Sequence, residues 1–481
     1  MSAAAKAVSF AGLKRRALSL GAVKAFDHAM QFLLPVILVR TLDAATFGEY
    51  RLLWLAIGTL MAVSTLNMAG GLYFFLPRSE PRLKRLYIHH TLVFYAAAGL
   101  LCAWAVSGWN PWLPGAMKPL AAYGALVPAF VALWIALILI DYLPTIEEQI
   151  PVQAKVTVGL SLLRVVLVGG AAAASGDMRR VLWALLALVL FKLALLLYYI
   201  HRRHGLGRPW LDRRLFAAQL RYTAPFGLSN ALYSLRGQTD QWVAASLFAL
   251  HSFAAFSIAA VLAPLVYVFR HSVLEAFLPS MSRLEAAGDV RGMLEMSSRG
   301  NVLVASLIFP ALALAFGFAD DLISVIYTPA YLDAAPVMRV YVLGMAAMVI
   351  EVGSVLLLLR QGRYALGVNT LALAVSATVS LCAASRVGLA GAAAGSVAAV
   401  YLERCLTLRR IVVASGIALR DLQDWPALAR AFGSSALAAA LAVISVDLVE
   451  PSSPPLARLL TGGAILGLAY LGMNLACRKA R

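Results

Sequence analysis

Ionisable residues interrupt several apolar stretches that are long enough to cross a membrane. The set comprises Lys24, Asp27, His28, Arg164, Lys192, Arg236, Asp240, Arg270, His271, Glu275 and Glu351. An ionised side chain at the centre of a membrane helix costs about 2.5–3.5 kcal/mol. A group of them is therefore stable only where its members pair with one another or face water inside a helix bundle.

Helical spacing puts some of these residues on polar stripes. The first stripe, at i, i+3, i+4 and i+7, consists of Lys24, Asp27, His28 and Gln31. The second, at i, i+4, i+7 and i+11, consists of Ser229, Tyr233, Arg236 and Asp240. Two such stripes facing each other would line a wet cavity between two halves of the chain. Alternatively, Lys24–Asp27 and Arg236–Asp240 are salt bridges that hold helices together.

The remaining residues are interpreted by whether an oppositely charged residue lies near them in the sequence. Arg164 and Lys192 have no acid one turn away on their own helices, which favours anion binding, although Lys192 lies near a helix end and could instead extend to the membrane surface. Glu351 has no nearby base, so it either carries a coupling proton or pairs with a base from another helix. The sequence thus predicts cavity cations at Lys24, Arg164, Arg236 and Arg270, and balancing or ion-coupling acids at Asp27, Asp240, Glu275 and Glu351.

The elements that position these residues are long apolar helices. The chain is 62% hydrophobic and 13% charged, whereas soluble proteins average about 45–50% apolar and about 25% charged residues. Runs of about 20 apolar residues match the thickness of a bilayer. The predicted spans are 19–39, 52–76, 88–107, 119–141, 154–174, 181–200, 223–248, 253–277, 301–319, 337–358, 364–384, 388–412, 429–447 and 457–476. We therefore expect an all-α membrane protein with about 14 transmembrane helices.

The net charge of +18 is a signal of topology rather than of nucleic-acid binding. Most of the 41 lysines and arginines, Arg404 among them, fall on one side of the predicted spans. The positive-inside rule makes that side cytoplasmic and places both termini there. The four cysteines show no metal-ligand spacing, and the sequence contains no nucleotide-binding motif. We expect no cofactor and no metal, with a proton or sodium gradient as the candidate energy source.

The chain divides into two halves in which similar sequence features recur in the same order. We predict an N-terminal half at 1–200 (helices 1–6), a basic cytoplasmic linker at 201–221, a C-terminal half at 222–413 (helices 7–12), and helices 13–14 with a basic tail at 414–481. A base-then-acid pair opens each half, and each half has a later Phe-Leu-Pro tripeptide, at Phe75 and at Phe277. This order favours two pseudo-repeated six-helix halves. The Gly/Ala-rich stretch Leu389–Ala399 predicts close helix packing.

Three segments resemble the bacterial polysaccharide flippases. Residues 38–50 read LVRTLDAATFGEY, similar to the pattern R-x-L-x4-F/Y-G-x-Y after the first helix of that family. Residues 238–242 resemble the family's helix-seven aspartate motif. Residues 254–259 follow where the family usually has the pattern G-x-Y-x-x-A, and this segment is degenerate because Ala255 and Phe256 depart from the Gly and Tyr. Residues 326–335 resemble the segment before helix ten, with Thr328 in place of Gly.

This resemblance implies a fold shared with multidrug exporters and lipid II flippases. It implies a bacterial inner-membrane, multi-pass transporter, not an enzyme, that moves polyprenyl-diphosphate-linked oligosaccharide outward. The implied partners are that substrate, membrane lipids, and a polysaccharide polymerase with its export machinery; nucleic acid is not among them. Two alternatives stay open, an ion-coupled drug or metabolite exporter of the same fold and a membrane glycosyltransferase or glycan polymerase. The short outer loops disfavour an enzyme.

Overall fold

A computed structural model describes residues 10–205, 207, 210–449 and 452–479. Within these residues every regular element is helical. The chain forms two compact units, residues 1–234 and 235–481, which we call the first and second units. The predicted cytoplasmic segment before residue 10, Arg208 of the linker and Arg481 of the tail lie outside the described residues.

The first unit is built from ten helices and the start of an eleventh. They are α1 (Phe10–Thr41), α2 (Ala44–Ser64), α3 (Met68–Phe75), α4 (Pro81–Val106), α5 (Lys118–Ala121), α6 (Leu126–Ala136), α7 (Leu143–Ile146), α8 (Ile150–Arg164), α9 (Gly170–Ser175), α10 (Met178–Arg203) and α11 (Arg213–Leu247), and α11 continues into the second unit.

The second unit contains the end of α11 and ten further helices. They are α12 (Leu250–Ile258), α13 (Ala263–Ala286), α14 (Val290–Gly317), α15 (Ala319–Ile326), α16 (Ala334–Met348), α17 (Gly353–Leu358), α18 (Gly362–Val387), α19 (Leu389–Ser415), α20 (Trp425–Val449) and α21 (Pro455–Lys479).

The prediction of an all-α, multi-pass membrane protein is confirmed. Nine helices within the described ranges are long and apolar enough to span a membrane, and the number reaches 11 if each of two bent helix pairs counts as one span. The predicted span 119–141 overlaps one of these pairs, which bends by 99° between Gly115–Ala121 and Leu126–Ala136. The count of 14 stays a prediction, because α11 and α13 carry several charges and α16 has only 15 residues.

Local sequence explains where α2 begins. Asp43 is its N-cap and accepts hydrogen bonds from the backbone N–H groups of Ala45 (2.9 Å) and Thr46 (3.1 Å). The Thr46 hydroxyl donates a third, of 2.6 Å. These bonds satisfy backbone donors that a helix start would otherwise leave unpaired. The cap fixes the start of the helix that carries Tyr50 and Trp54.

Two predictions about local packing have different outcomes. Close packing at Leu389–Ala399 is confirmed, because a Cβ at Gly391 would overlap the Ala383 carbonyl of the neighbouring helix α18. The two Phe-Leu-Pro tripeptides lie in different local structures. The first ends α3 and enters a 3₁₀ turn, Leu76–Arg78, whereas Pro279 of the second lies inside α13. The internal repeat and the predicted domain limits stay predictions.

Candidate functional site

The first unit contains a cavity of about 410 Å³, which we call the first-unit cavity. Its walls come chiefly from α1, α8 and α10, with side chains from the region of α3, α6 and α7. The charged lining residues are Lys24, Asp27, Asp141, Arg164 and Lys192. Three cations thus face two carboxylates, and the lining carries a net positive charge. The cavity predicted between the two halves stays a prediction.

The polar stripe on α1 forms one wall of the first-unit cavity. Lys24, Asp27 and Gln31 all line it, which confirms that these three share a helix face. The Asp27 carboxylate accepts hydrogen bonds from the Ser161 hydroxyl of α8 (2.5 Å) and the Gln31 amide (2.8 Å). Lys24 is exposed and forms no ion pair within the described part of the chain. The Lys24–Asp27 salt bridge is therefore not seen, and the fourth stripe residue, His28, is exposed outside the lining.

Arg164 lines the cavity and has no carboxylate partner among the described residues. It is the last residue of α8, directly before the π-helical turn Val165–Gly169. Such turns insert an extra residue and are common at functional sites. Its guanidinium lies 4.3 Å from the centre of the Trp54 ring, and one Nη donates a 3.3 Å hydrogen bond to the Tyr50 hydroxyl. Its Nε is buried and meets no hydrogen-bond acceptor in the part of the chain that the structure describes. Within the described residues, Arg164 is therefore held by an aromatic ring and a neutral hydroxyl and forms no ion pair.

Lys192 has a partner that the sequence did not reveal. Its ammonium lies 2.7 Å from the Asp141 carboxylate and 4.9 Å from the centre of the Trp134 ring. Because Lys192 is buried at this pair, its predicted extension to the membrane surface is not seen. Asp141 lies 51 positions away. Asp141 is the last residue of the predicted span 119–141. A carboxylate at the end of a span was the sequence feature that could have indicated this partner of Lys192.

Arg236 has acidic and amide partners in the second unit. Its guanidinium donates hydrogen bonds to the Glu403 carboxylate (2.8 Å) and the Asn369 side chain (2.7 Å). The Glu403 carboxylate also lies 3.7 Å from Arg404. Arg404 is buried within α19 and not in a loop, whereas the membrane side on which it lies stays a prediction. Sequence reasoning missed Glu403, although it is an acid inside the predicted span 388–412.

Asp240 is held by uncharged groups rather than by Arg236. The Tyr341 hydroxyl donates a 2.8 Å hydrogen bond to one carboxylate oxygen, and the backbone N–H of Gln241 donates one of 2.8 Å to the other. Phe256 packs against the Tyr341 ring at 5.8 Å between centres. Phe256 belongs to the degenerate segment 254–259, so two family-like segments meet through Tyr341.

The remaining three predicted residues, Arg270, Glu275 and Glu351, lie in the second unit. Arg270 lines a second-unit cavity of about 20 Å³ beside Glu351 and donates a 3.4 Å hydrogen bond to the Met348 carbonyl. The Glu351 carboxylate accepts hydrogen bonds from the Gly353 N–H (2.9 Å) and the Ser354 hydroxyl (2.5 Å), next to the start of α17. Glu275 is 70% exposed and pairs with His271.

Three of the eight predicted residues, Lys24, Asp27 and Arg164, therefore share the first-unit cavity. The functional roles of all eight stay predictions. In the described ranges, no three His, Cys, Asp or Glu side chains form a metal-ligand group.

Solved structures share this fold over most of the chain. A lipid II flippase MurJ in an inward closed conformation aligns with TM-score 0.72 at 11% identity, covering 96% of this chain and 98% of that one. An inward-facing MATE multidrug resistance transporter of the MOP superfamily gives 0.60 at 14% identity, covering 81% and 96%. The MATE multidrug transporter DinF-BH gives 0.56 at 15% identity, covering 84% and 96%. At these identities the likeness concerns the fold.

Comparison with curated protein sequences gives no significant match. A family model described as "Polysaccharide biosynthesis protein" matches residues 37–336, more than half of the chain. That range includes the cavity-lining residues of α3, α6, α8 and α10. The chain therefore belongs to the polysaccharide biosynthesis protein family and is a multi-pass membrane protein with the fold of the MOP-superfamily transporters.

Proposed function

We propose that this protein is a flippase for polyprenyl-diphosphate-linked oligosaccharide, the repeat unit of an exopolysaccharide, O-antigen or capsule. It would work in the bacterial inner membrane and move the unit from the cytoplasmic to the outer leaflet by alternating access. The observation that carries the proposal is the Arg164 guanidinium, which lines a 410 Å³ cavity and pairs with no carboxylate of the described residues. A diphosphate crossing the membrane needs such cations, because an isolated anion is very costly in hydrocarbon.

The composition of the first-unit cavity suits both parts of this cargo. Lys24 and Arg164 offer charge to the diphosphate, and the side chains of Gln31, Thr157 and Gln153 offer hydrogen bonds to sugar hydroxyls. Asp27 balances part of the positive charge and is a candidate for proton or sodium coupling. Arg236, Arg270, Asp240, Glu275 and Glu351 are proposed to serve the same two purposes in the second unit.

A drug or metabolite exporter of the same fold is the competing hypothesis. Many drugs are cations, and a cavity with three cations and two carboxylates repels them. Transport of a cationic dye and of a lipid-linked glycan by the same preparation distinguishes the two hypotheses.

The test is a flipping assay in proteoliposomes with a fluorescent polyprenyl-diphosphate sugar. We expect Arg164→Gln to slow flipping by at least tenfold, since one charge-assisted contact contributes on the order of 1.5–3 kcal/mol. Arg291→Gln is the matched control, because Arg291 is 76% exposed and pairs with Glu295 one turn away. Equal flipping by wild type and Arg164→Gln, at equal reconstitution, would refute the assignment. Dye transport without glycan transport would favour the exporter.

A further inference from the structure

Two tryptophans of the first unit stand between two of the cavity cations. The rings of Trp54 and Trp134 meet edge-to-face, with centres 4.9 Å apart and planes at 81°. Arg164 lies over the Trp54 face at 4.3 Å, and Lys192 lies over the Trp134 face at 4.9 Å. The four side chains form one continuous row, Arg164–Trp54–Trp134–Lys192. Trp134 lines the cavity, whereas Trp54 lies behind Arg164 and does not line it.

An aromatic face holds a cation in a different way from a carboxylate. The ring attracts the cation through its quadrupole and adds no net charge. A guanidinium held by a ring and by the neutral Tyr50 hydroxyl therefore keeps its full charge toward the cavity. Indole provides the strongest such face among the aromatic side chains.

The Asp27 carboxylate lines the same cavity as Arg164. Ser161, three residues earlier on α8, donates its hydroxyl hydrogen bond to Asp27. Positions three apart on a helix are neighbours on its surface. A guanidinium released from the Trp54 face could therefore turn toward Asp27 and be neutralised there.

The indole N–H of Trp54 strengthens the case for a specific role. It is buried, and none of the described residues provides a hydrogen-bond acceptor for it. A buried unsatisfied donor is destabilising, so packing alone would be served better by Phe. Trp54 places a strongly electron-rich ring face beneath Arg164. A phenylalanine at this position would provide a weaker face for the cation.

We propose that Trp54 is a positioning residue. It holds the Arg164 guanidinium away from Asp27 and directs its charge at an oxyanion of the phosphate or diphosphate class, while Trp134 fixes the orientation of Trp54. The ligand class rests on the proposed function. The geometric part, that Trp54 sets the orientation of Arg164, does not.

Arginine-selective NMR of the purified full-length protein tests the geometric part without ligand. An Nε–H above an indole ring gives a ring-current-shifted signal, which Arg164→Gln identifies by removing it. We expect that signal in the wild type, a smaller shift in Trp54→Phe and loss of the shift in Trp54→Leu. Absence of any shifted Arg164 signal in the wild type overturns the proposal whatever the protein transports.

Calorimetric titration with inorganic diphosphate tests the consequence for binding. We expect Trp54→Leu to weaken binding about tenfold and Trp54→Phe to weaken it less than threefold. Trp112→Leu is the control, because Trp112 is 78% exposed and outside the cavity. Asp27→Asn added to Trp54→Leu should restore most of the binding, since it removes the competing carboxylate. A general folding defect would not be rescued in this way.

The outcomes separate the two proposals. Wild-type affinity in Trp54→Leu, together with lost binding in Arg164→Gln, would overturn the positioning role and leave the flippase proposal standing. A wild-type protein that shows the ring-current shift but binds no diphosphate and flips no lipid-linked sugar would overturn the proposed function and leave the orientation of Arg164 by Trp54 intact.

Discussion

Lys192 and Asp141 form an ion pair of 2.7 Å at the wall of the first-unit cavity, with the lysine side chain 6% exposed and the aspartate 47% exposed. The pair neutralises one of the three cavity cations. Arg164 retains its charge because its neighbours are Tyr50 and Trp54. The same cavity thus contains one cation held for structure and one available to a ligand, and this difference determines which substitutions should affect stability and which should affect transport.

Asp141→Asn should lower the free energy of unfolding by about 1–3 kcal/mol, because it leaves the buried Lys192 ammonium without its counter-ion. Denaturant titration in detergent measures the loss. Asp141→Asn with Lys192→Met should recover part of it, since no unpaired charge then remains. Asp421→Asn, at an exposed pair with Arg420, is the control and should be neutral. A double variant no more stable than Asp141→Asn would contradict this account.

Arg236 and Glu403 should be coupled more strongly than a surface pair. Their side chains are 10% and 20% exposed, whereas those of Arg291 and Glu295 are 76% and 59% exposed. A double-mutant cycle should give a coupling free energy of about 1–3 kcal/mol for the first pair and about 0.3–0.5 kcal/mol for the second. Equal coupling would mean that Arg236 is stabilised mainly by its other contacts, such as Asn369.

Asp43 should make the stability of the first unit depend on pH in the acid range. The hydrogen bond from the Thr46 hydroxyl lowers the pKa of Asp43, burial opposes that shift, and backbone N–H groups at the start of α2 add to it. Because the folded pKa lies below the unfolded value of about 3.9, the stabilisation is complete above that value. It is lost as the pH falls through the folded pKa.

Thermal unfolding between about pH 3 and pH 6 compares three proteins at this cap. Asp43→Asn keeps a capping oxygen without the charge, so its unfolding temperature should lack the acid-range decrease that Asp43 contributes to the wild type. Asp43→Ala should cost about 1 kcal/mol at neutral pH. Identical pH profiles for the wild type and Asp43→Asn would show that the Asp43 charge contributes nothing.

Gly391→Ala and Gly433→Ala should have opposite effects. A Cβ at position 391 meets the Ala383 carbonyl of α18, so the two helices must separate, at a cost of about 1–3 kcal/mol. A Cβ at position 433 meets nothing within 4 Å, so alanine there should stabilise α20 by about 0.5–1 kcal/mol. Thermal unfolding of the two variants side by side measures the difference. Destabilisation by both would point to lost helix flexibility rather than to overpacking.

Features that depend on neighbouring residues could be predicted well. The shared face of Lys24, Asp27 and Gln31 follows from helical periodicity, and each position in that pattern lies within two turns of the others. The close approach at Gly391 follows from a run of small residues. The resemblance in residues 38–50 pointed to the right family and contains Tyr50, the hydroxyl partner of Arg164.

The partners of the buried charges could not be predicted. Arg164 meets Tyr50 across 114 positions, and Arg236 meets Glu403 across 167. Sequence spacing suggested Asp240 as the partner of Arg236 instead, because Asp240 is the nearest acid in the sequence and lies four residues further along the same helix. The 99° bend between α5 and α6 and the π-helical turn after Arg164 also left no periodic signal that would distinguish them from straight helices.

The sequence by itself determined that this protein lies in a membrane, that it is helical and that several ionisable residues must avoid lipid, since composition, run length and helical period are properties of contiguous residues. Only the tertiary structure decided which of those charges are neutralised. Asp141 pairs with Lys192, whereas Arg164 contacts the Trp54 ring and the Tyr50 hydroxyl. Charge compensation depends on which distant helices pack together, and that packing is set by the whole set of apolar surfaces rather than by any local pattern.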